Sequence, residues 1–489
     1  MYDVVIIGAG ISGCSVAYAL ARYNLRVAIV ERAADVSDGT SKANTAIVHA
    51  GHDTTPGTLK SKYNLLGNAM YDDLCTELDV PFRRNGTIVV AFGDDRDDEI
   101  ETLAAQGTIL GCPGITVLGK TEIKRMIPNI SGEVTAALLA PSGGIVSPYE
   151  LVIAMAENAV LNGVELMLNT TVKTMAKNGE NWVLGTDKGE IETRVVVNCA
   201  GVYADEFNNM VSEHKYYIKP RLGEYVIMDK IHGGDFLYSI CTLPIKMASG
   251  HTKGLWIAPT VSGTIMLGPT ATDVEDKEFI SNTAEGFKEI TEKSKIMWPD
   301  VPLGDLICCY AGLRAHCDKD DFQLGEAPDA PGFFNCGGIE SPGLTAAPAF
   351  GKDIAAEIAA KLGAAEKDNH IKGRDKSAKP FRYMNDKERE QAIAGIAEYG
   401  RIVCRCETVT EAEIRAAIRR AAGAKTLDAV KRRTRAGMGR CQGGFCSTRV
   451  IQILCEELGV SPLEITKSGG ESNLLLGAVF EDGGNDERD

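Results

Sequence analysis

The opening stretch of the chain limits its possible folds more than any other. Tyr2-Asp3-Val4-Val5-Ile6-Ile7 is a nearly continuous apolar run, rich in β-branched residues and cut off by glycine. Such a run predicts a strand buried on both faces, as in a parallel sheet. Gly8-Ala9-Gly10-Ile11-Ser12-Gly13 follows at once, then helical composition over residues 15–21, then a second apolar run, Val27-Ala28-Ile29-Val30, ending at Glu31-Arg32. In a strand–turn–helix–strand unit each part has a job. Gly8 permits the tight turn, Gly10 lets backbone approach a pyrophosphate, and Gly13 lets the helix close on the strand. The amides at the helix start face the phosphates, where the helix dipole favours negative charge. Glu31 is placed to accept hydrogen bonds from a ribose diol, and its charge would repel a 2′-phosphate. The unit predicts dinucleotide binding; the alternative is a glycine turn in an ordinary α/β domain.

Composition narrows the partners. With 489 residues the chain has room for two to four domains. Its formal net charge of −15 speaks against a general nucleic-acid or membrane-surface partner. No apolar run approaches the roughly twenty residues a transmembrane helix needs, and with a strand expected from Tyr2 no signal peptide is expected. Fourteen cysteines without a secretory signal suggest the reducing cytoplasm, where thiols serve as core residues, metal ligands or redox groups.

Further along, residues 38–51 are small, polar and glycine-flanked, a loop able to lie along a flat cofactor. His49 stands out within it, either as a hydrogen-bonded structural residue or as an acid/base with a usable pKa. Helices are expected at residues 59–78 and 148–161, a strand at 164–168, and a hairpin over 82–92 around Asn85-Gly86. The charge run 94–99 reads as a solvated first turn of a helix. Strand pairing is expected between 182–186 and 190–193. Val195-Val196-Val197-Asn198-Cys199-Ala200-Gly201 is a second buried strand running into a small-residue turn, which suggests that the parallel sheet resumes there. Residues 206–310 alternate strand-like segments with turns, as in an inserted antiparallel substrate domain. Lys253 and Arg314, each read at a turn, are either solvated or the cations of an anion site. Residues 332–345 form a third strand and glycine loop, followed by a helix expected over 347–361. Its N-terminus could stabilise an anionic reduced flavin. A nicotinamide enzyme needs no such late return, which favours FAD over NAD.

After a charged linker at 363–400 the chain changes character. Cys404-Arg405-Cys406 and Cys441-Gln442-Gly443-Gly444-Phe445-Cys446 bracket helical stretches at 411–422 and 426–433. Two close pairs of thiols in one short module imply a shared metal site. The single-residue gap suits a [2Fe–2S] cluster better than zinc, with zinc or a free dithiol as alternatives. The basic run Lys431-Arg432-Arg433-Thr434-Arg435 is read as charge that offsets the cluster thiolates and could steer an acidic partner. The acidic end, 481–489, reads as a disordered tail.

Together these segments resemble the D-amino-acid-oxidase-like FAD-dependent oxidoreductases, which show the N-terminal GxGxxG, an Asn-x-Ala-Gly-x-x-Ala-Asp stretch (here residues 198–205) and a late Gly-Gly-x-x-x-x-Gly-Leu-Thr (here 337–345). Within that superfamily, Thr45-Ala46-Ile47-Val48-His49-Ala50-Gly51 and Pro56-Gly57-Thr58-Leu59-Lys60 resemble the glycerol-3-phosphate dehydrogenases and oxidases and the L-2-hydroxyglutarate dehydrogenases. That resemblance places His49 beside the flavin and turns Lys253, Arg314 and Ser341 toward the substrate. It implies cofactor contacts from Gly8, Gly10, Ile11, Ser12, Gly13, Glu31 and Arg32, and from Thr40, Ser41 and Thr45. The later turns contribute Ala200 and Gly201, then Gly338, Gly343, Leu344 and Thr345. The cysteine module resembles the bacterioferritin-associated-ferredoxin-like [2Fe–2S] domain, which implies Cys404, Cys406, Cys441 and Cys446 as ligands. Residues 434–443 are close to the end of the large subunits of anaerobic glycerol-3-phosphate dehydrogenases, whereas the histidine loop is more like the cytosolic glycerophosphate oxidases.

The expected fold is therefore α/β. It has a Rossmann-like FAD-binding domain (segments about 1–75, 140–205 and 310–362) with an inserted antiparallel α+β substrate domain (about 76–139 and 206–309). A small helical [2Fe–2S] domain at 401–460 and a tail at 461–489 complete it. The expected activity is FAD-dependent oxidation of a secondary alcohol of a small anionic molecule, sn-glycerol 3-phosphate in the first place, with electrons passed through the cluster to a partner protein or subunit. L-2-hydroxyglutarate, another 2-hydroxy acid or an amino acid is the alternative substrate. A non-catalytic electron-transfer flavoprotein subunit is the alternative from another class. The expected location is cytoplasmic, with peripheral membrane association through partner subunits as an option.

Overall fold

The computed structural model describes residues 1–93, 96–243, 246–247, 250–251, 254–375 and 379–477. Side chains at 244–253 lie outside that description, and with them Lys253; so do Asp94, Asp95 and the 481–489 tail. The chain divides into two compact units. One comprises Met1–Arg32 and Val36–Arg374, the other Ala33–Asp35 and Asp375–Asp489. The stretch read as a linker is thus shared between them.

The first unit is built round a parallel sheet. Tyr2–Ile7 lies at its middle, flanked in parallel by Val27–Val30 and Gly189–Asn198, with Val4 opposite Val27 on one side and Val195 on the other. Glu165–Met167 extends one edge, and Phe333–Gly337 joins Gly189–Asn198 in parallel. The strands read as unbroken apolar runs because both faces are covered. Helix Ile11–Leu20 packs against both Pro148–Leu161 and Gly343–Leu362. The 182–186 and 190–193 segments pair within Asn181–Thr186 and Gly189–Asn198, as expected.

A second, nine-stranded sheet is assembled from two separated stretches of chain. Thr87–Phe92, Val134–Ala140 and Thr116–Gly119 come from the first, and Ile218–Met228, Ser239–Thr242, Trp256–Pro259, Ile265–Gly268, Thr272–Asp273 and Leu306–Cys317 from the second. It is antiparallel except where Ser239–Thr242 joins Thr87–Phe92. Its buried face closes over Ile240, Ile257, Ile265, Ile290 and Trp298.

Three expectations need correction. Asn85-Gly86 does not close a hairpin. Phe82–Arg83 pairs with Gly144–Val146, whereas Thr87–Phe92 pairs with Val134–Ala140 in the other sheet. Gly86, at φ +74°, turns the chain from one sheet to the next. Arg314 is not at a turn: Leu306–Cys317 is one continuous strand, paired with Ile218–Met228 over nearly its whole length. The late helix starts at Gly343, four residues before the expected position, and runs through Pro348.

That proline would ordinarily break the helix, since it leaves the carbonyl four residues earlier without its N–H donor. Here the carbonyl is that of Leu344, and the buried Tyr71 hydroxyl donates to it at 2.5 Å. Tyr71 stands on the helix Leu59–Glu77, which touches Gly343–Leu362 at Gly67. A β-carbon on Gly67 would lie 2.0 Å from the Thr345 carbonyl oxygen.

The second unit has a two-stranded sheet, Ile402–Cys404 with Val409–Thr410, and helices Glu411–Arg419, Leu427–Thr434 and Ser447–Leu458. Its core includes Val409, Ile414, Val430, Ile453 and Leu454 beside Cys404 and Cys446. Among the described residues no helix is long and apolar enough to cross a membrane.

Tyr71→Phe removes the substitute donor and keeps the ring. The expected cost is about 1–3 kcal/mol, the penalty for a buried carbonyl left unpaired. Urea unfolding should show a lower midpoint at an unchanged slope.

Candidate active site

Three glycine-bearing turns meet at the carboxyl ends of the parallel strands. Gly8 sits at φ +100°, and a β-carbon on it would lie 2.5 Å from the Cys199 carbonyl oxygen. One on Gly13 would lie 1.9 Å from the Gly8 carbonyl oxygen. The first turn, its helix and the second turn therefore touch backbone to backbone. Gly10, the N-cap of the helix Ile11–Leu20, has no side chain to cap it, so the amides beyond Ile11 face a ligand. Glu31 accepts from the Ala9 N–H at 2.7 Å, and Ser41 Oγ accepts from the Ile11 N–H at 2.8 Å. Gly201 turns at φ +60°, beside Ala200. These features fit the pyrophosphate and ribose of a bound dinucleotide.

Other residues of the expected cofactor set have their side chains engaged within the protein. Arg32 is ion-paired to Glu278 at 2.6 Å and lies over the Tyr203 ring. The Thr40 hydroxyl donates to the Leu313 carbonyl at 2.6 Å. Thr345 Oγ1 accepts from the His49 N–H at 2.9 Å, so the third turn fixes the histidine loop directly. Gly338 turns at φ +65°, and Gly343 leads into the helix carrying Leu344 and Thr345, while Thr45 lies half-buried before the short strand Ile47–Val48.

His49 is held on several sides. Its Nε2 is 3.1 Å from Ser341 Oγ, its Nδ1 is 3.9 Å from the Asp53 carboxylate, and Trp256 meets it edge-on. The Asn68 amide donates to its carbonyl at 2.9 Å. An imidazole between a hydroxyl and a carboxylate can take a proton at Nε2 and keep the resulting charge stabilised at Nδ1. Next to Ser341, the Glu340 carboxylate receives Lys60 Nζ at 2.8 Å and faces His316 Nδ1 at 3.0 Å.

Arg314 is only 8% exposed. Both of its terminal nitrogens donate to the Thr270 carbonyl at 3.2 Å. The guanidinium lies flat across Gly223 on the neighbouring strand, where a β-carbon would come within 2.6 Å of Nη2. Thr270 is held in turn by Glu224, whose buried carboxylate accepts from the Thr283 N–H at the start of the helix Ala284–Met297. Burial pushes the Tyr225 hydroxyl above its ordinary pKa, and its hydrogen bond with Arg314 opposes the rise. The chain from helix start through Glu224 and Thr270 leaves Arg314 a fixed, forked cation.

In the second unit the four expected ligands lie as two pairs. Cys406 Sγ and Cys441 Sγ are 3.7 Å apart. Cys404 and Cys446 share a thiol hydrogen bond that holds the Cys404 pKa below the ordinary thiol value and pushes that of Cys446 up. Backbone N–H groups of Gly437 and Glu407 also favour the Cys404 thiolate, the form that binds metal. Among the described residues no three His, Cys, Asp or Glu side chains form a single-ion site. Two thiol pairs fit a binuclear cluster, which takes two thiolates per iron. The basic run differs from expectation. Arg432, Arg433 and Arg435 are buried; the first two grip Asp35 at 2.8 Å, and Arg435 grips Glu407 at 2.8 Å. They brace the module from within instead of forming a steering surface.

Sequence reading missed Asp53, Gly223, Glu224, Thr270 and Tyr225. Asp53 carried a weak signal, four residues after His49. The others are brought to Arg314, directly or through Thr270, only by tertiary structure, which no local pattern encodes.

The family described as FAD dependent oxidoreductase matches residues 3–357, and the BFD-like [2Fe-2S] binding domain matches residues 402–456. A glycerol 3-phosphate dehydrogenase of Caloramator mitchellensis is 46% identical over 480 residues, 98% of each chain. An L-2-hydroxyglutarate dehydrogenase of Indibacter alkaliphilus is 26% identical over 72% of this chain and 98% of its own. Among solved structures, the dithionite-reduced L-α-glycerophosphate oxidase of Mycoplasma pneumoniae with FAD bound superposes with a TM-score of 0.70 at 27% identity, covering 76% of this chain and 97% of that one. With glycine turns, histidine loop and paired thiols in place, this chain belongs to the FAD dependent oxidoreductase family and carries a BFD-like [2Fe–2S] domain at its C-terminal side.

Proposed function

We propose that the chain oxidises sn-glycerol 3-phosphate to dihydroxyacetone phosphate and passes the two electrons singly, through the C-terminal cluster, to a partner protein. The observation that carries this reading is a histidine–serine pair on the histidine loop and third turn, together with a buried, forked arginine in the same unit. Similarity to the Caloramator dehydrogenase supports the substrate. FAD, when bound, supplies the acceptor for the hydride leaving the alcohol carbon. Gly8, Gly10, Gly13 and Glu31 would hold its pyrophosphate and ribose, and the turns at Gly201 and Gly343 would line its ring.

The chain's own groups do the rest. His49 takes the hydroxyl proton at Nε2, and Asp53 stabilises the imidazolium. Ser341 Oγ orients the same nitrogen and hydroxyl. Arg314 offers a bidentate match to the phosphate, which fixes the carbon for transfer. Lys253, outside the described residues, remains a proposed second cation for that anion. Cys404, Cys406, Cys441 and Cys446 would hold the cluster. We place the protein in the cytoplasm, with membrane association only through its electron-accepting partner.

Anaerobic titration followed by flavin absorbance tests the substrate. Bleaching by sn-glycerol 3-phosphate, but not by L-2-hydroxyglutarate, is expected. The reverse would assign the 2-hydroxy acid, and no bleaching by either would remove the dehydrogenase reading. In His49→Ala the rate of anaerobic flavin reduction should fall by about 10²–10⁴, the usual worth of a general base; an unchanged rate would take His49 out of the reaction. Gly223→Ala pushes a methyl into the Arg314 guanidinium. KM should rise roughly tenfold, equivalent to about 1.4 kcal/mol, with FAD content unchanged. Cys406→Ser should lose iron by chemical assay while substrate still bleaches the flavin.

A further inference from the structure

Phe445 is 87% exposed, the most exposed aromatic side chain among the described residues, and it directly precedes a cluster thiol. An aromatic ring left in water beside a redox centre is a mark of an interaction site. Its surroundings share that character. Gln442 and Gly444 are exposed, and Gly444 carries no side chain, so a partner's surface can come close to the backbone there. The thiols are asymmetric about this loop. Cys404 and Cys446 are 2% and 3% exposed, whereas Cys406 and Cys441 are half-buried. The Cys406–Cys441 pair is therefore the solvent edge of the centre, and electron transfer, which weakens steeply with distance, leaves most readily from that edge.

Charge selects the partner. Arg405, between Cys404 and Cys406, is exposed, and so is Arg440, next to Cys441. These two cations flank the thiol edge on a chain whose formal net charge is −15. The neighbouring Arg432, Arg433 and Arg435 are turned inward on carboxylates, so the surface cations at the thiol edge come from the ligand loops themselves. A locally positive rim round an aromatic anchor suits an acidic protein surface and would discriminate against a basic one.

We infer that the Phe445 loop, with Arg405 and Arg440, is the docking face for a small one-electron carrier protein bearing acidic residues round its redox centre. The inference rests on the dehydrogenase reading above. Each alcohol oxidised to the ketone releases two electrons and two protons. Two oxidised carrier molecules each take one electron at this face, and the protons go to solvent.

The test uses the full-length holoprotein and two protein acceptors of opposite charge: plastocyanin, with its acidic patch, and basic cytochrome c. Binding of each, without turnover, is read by biolayer interferometry at several salt concentrations. Reduction of each is then read after mixing with sn-glycerol 3-phosphate. Tighter binding of plastocyanin than of cytochrome c is expected, weakening as salt rises. Phe445→Ser and Arg405→Glu should each weaken plastocyanin binding roughly tenfold. Reduction of a small neutral quinone and anaerobic flavin bleaching should be unchanged. Equal plastocyanin binding by wild type and variants, or preference for cytochrome c, overturns the proposal. So does a Phe445→Ser variant in which the flavin bleaches normally but electrons no longer reach the cluster, because the loop would then serve transfer within this chain. If substrate fails to bleach the flavin at all, the dehydrogenase reading falls, while the binding measurements still decide the docking face.

Discussion

The contact on which the first unit depends is between bare backbones. Gly13 lies against the Gly8 carbonyl, and Gly8 lies against the Cys199 carbonyl, at distances where a β-carbon cannot stand. That approach draws the helix Ile11–Leu20 onto the sheet and brings the second turn alongside the first. The same device recurs along the late helix. Gly351 meets Ser15 where the late helix crosses the first, and Gly67 meets Thr345 where the 59–77 helix crosses it. Substituting any of these glycines would move a helix before it touched a cofactor. Dinucleotide binding and helix packing are thus specified by the same residues, which is why so short a motif reports so much of the fold.

The second sheet works by the opposite principle. Its functional residue is placed by register and by carbonyl and carboxylate partners. Arg314 lies opposite Arg221, two residues from Gly223, on a strand far along the chain. Buried, it must have its donors satisfied, and the Thr270 carbonyl does this on one side without a countercharge. Glu224 is the nearest carboxylate in that chain of contacts, but its charge is directed at the helix Ala284–Met297 and at Thr270. The guanidinium therefore keeps its positive charge for an anionic ligand, where a direct ion pair with Glu224 would have cancelled it.

These two principles explain what could be read in advance. The parallel strands, the helices at 59–77 and 148–161 and the paired thiols were legible because each is a local pattern: an unbroken apolar run, a helical composition, or a fixed spacing. His49, Ser341 and Arg314 came from likeness of short motifs to a family, not from physics alone. The misplaced features are those in which a distant group overrides a local signal. The late helix begins four residues before its expected start and continues through Pro348 because Tyr71 supplies the missing donor. Asn85-Gly86 reads as a hairpin until the two flanking strands find partners in different sheets. The partners of Arg314 had no local signal at all.

The cysteine module shows the same override in its charges. A run of basic residues next to a thiolate centre reads as a positive surface, but exposure, not sequence, decides whether a cation acts on solvent or on the interior. Arg433 puts its guanidinium between Asp35 and the Ala422 carbonyl, and burial alone would raise the Asp35 pKa if Arg433 and Arg432 did not hold it below the ordinary carboxylate value. Arg435 is ion-paired to Glu407, whose backbone N–H in turn favours the Cys404 thiolate. A buried pair of this kind adds little net charge at a distance but is costly to break from either side. The buried arginines therefore fix the shape of the ligand loops, and the field a partner meets is set by the exposed residues interleaved with the thiols.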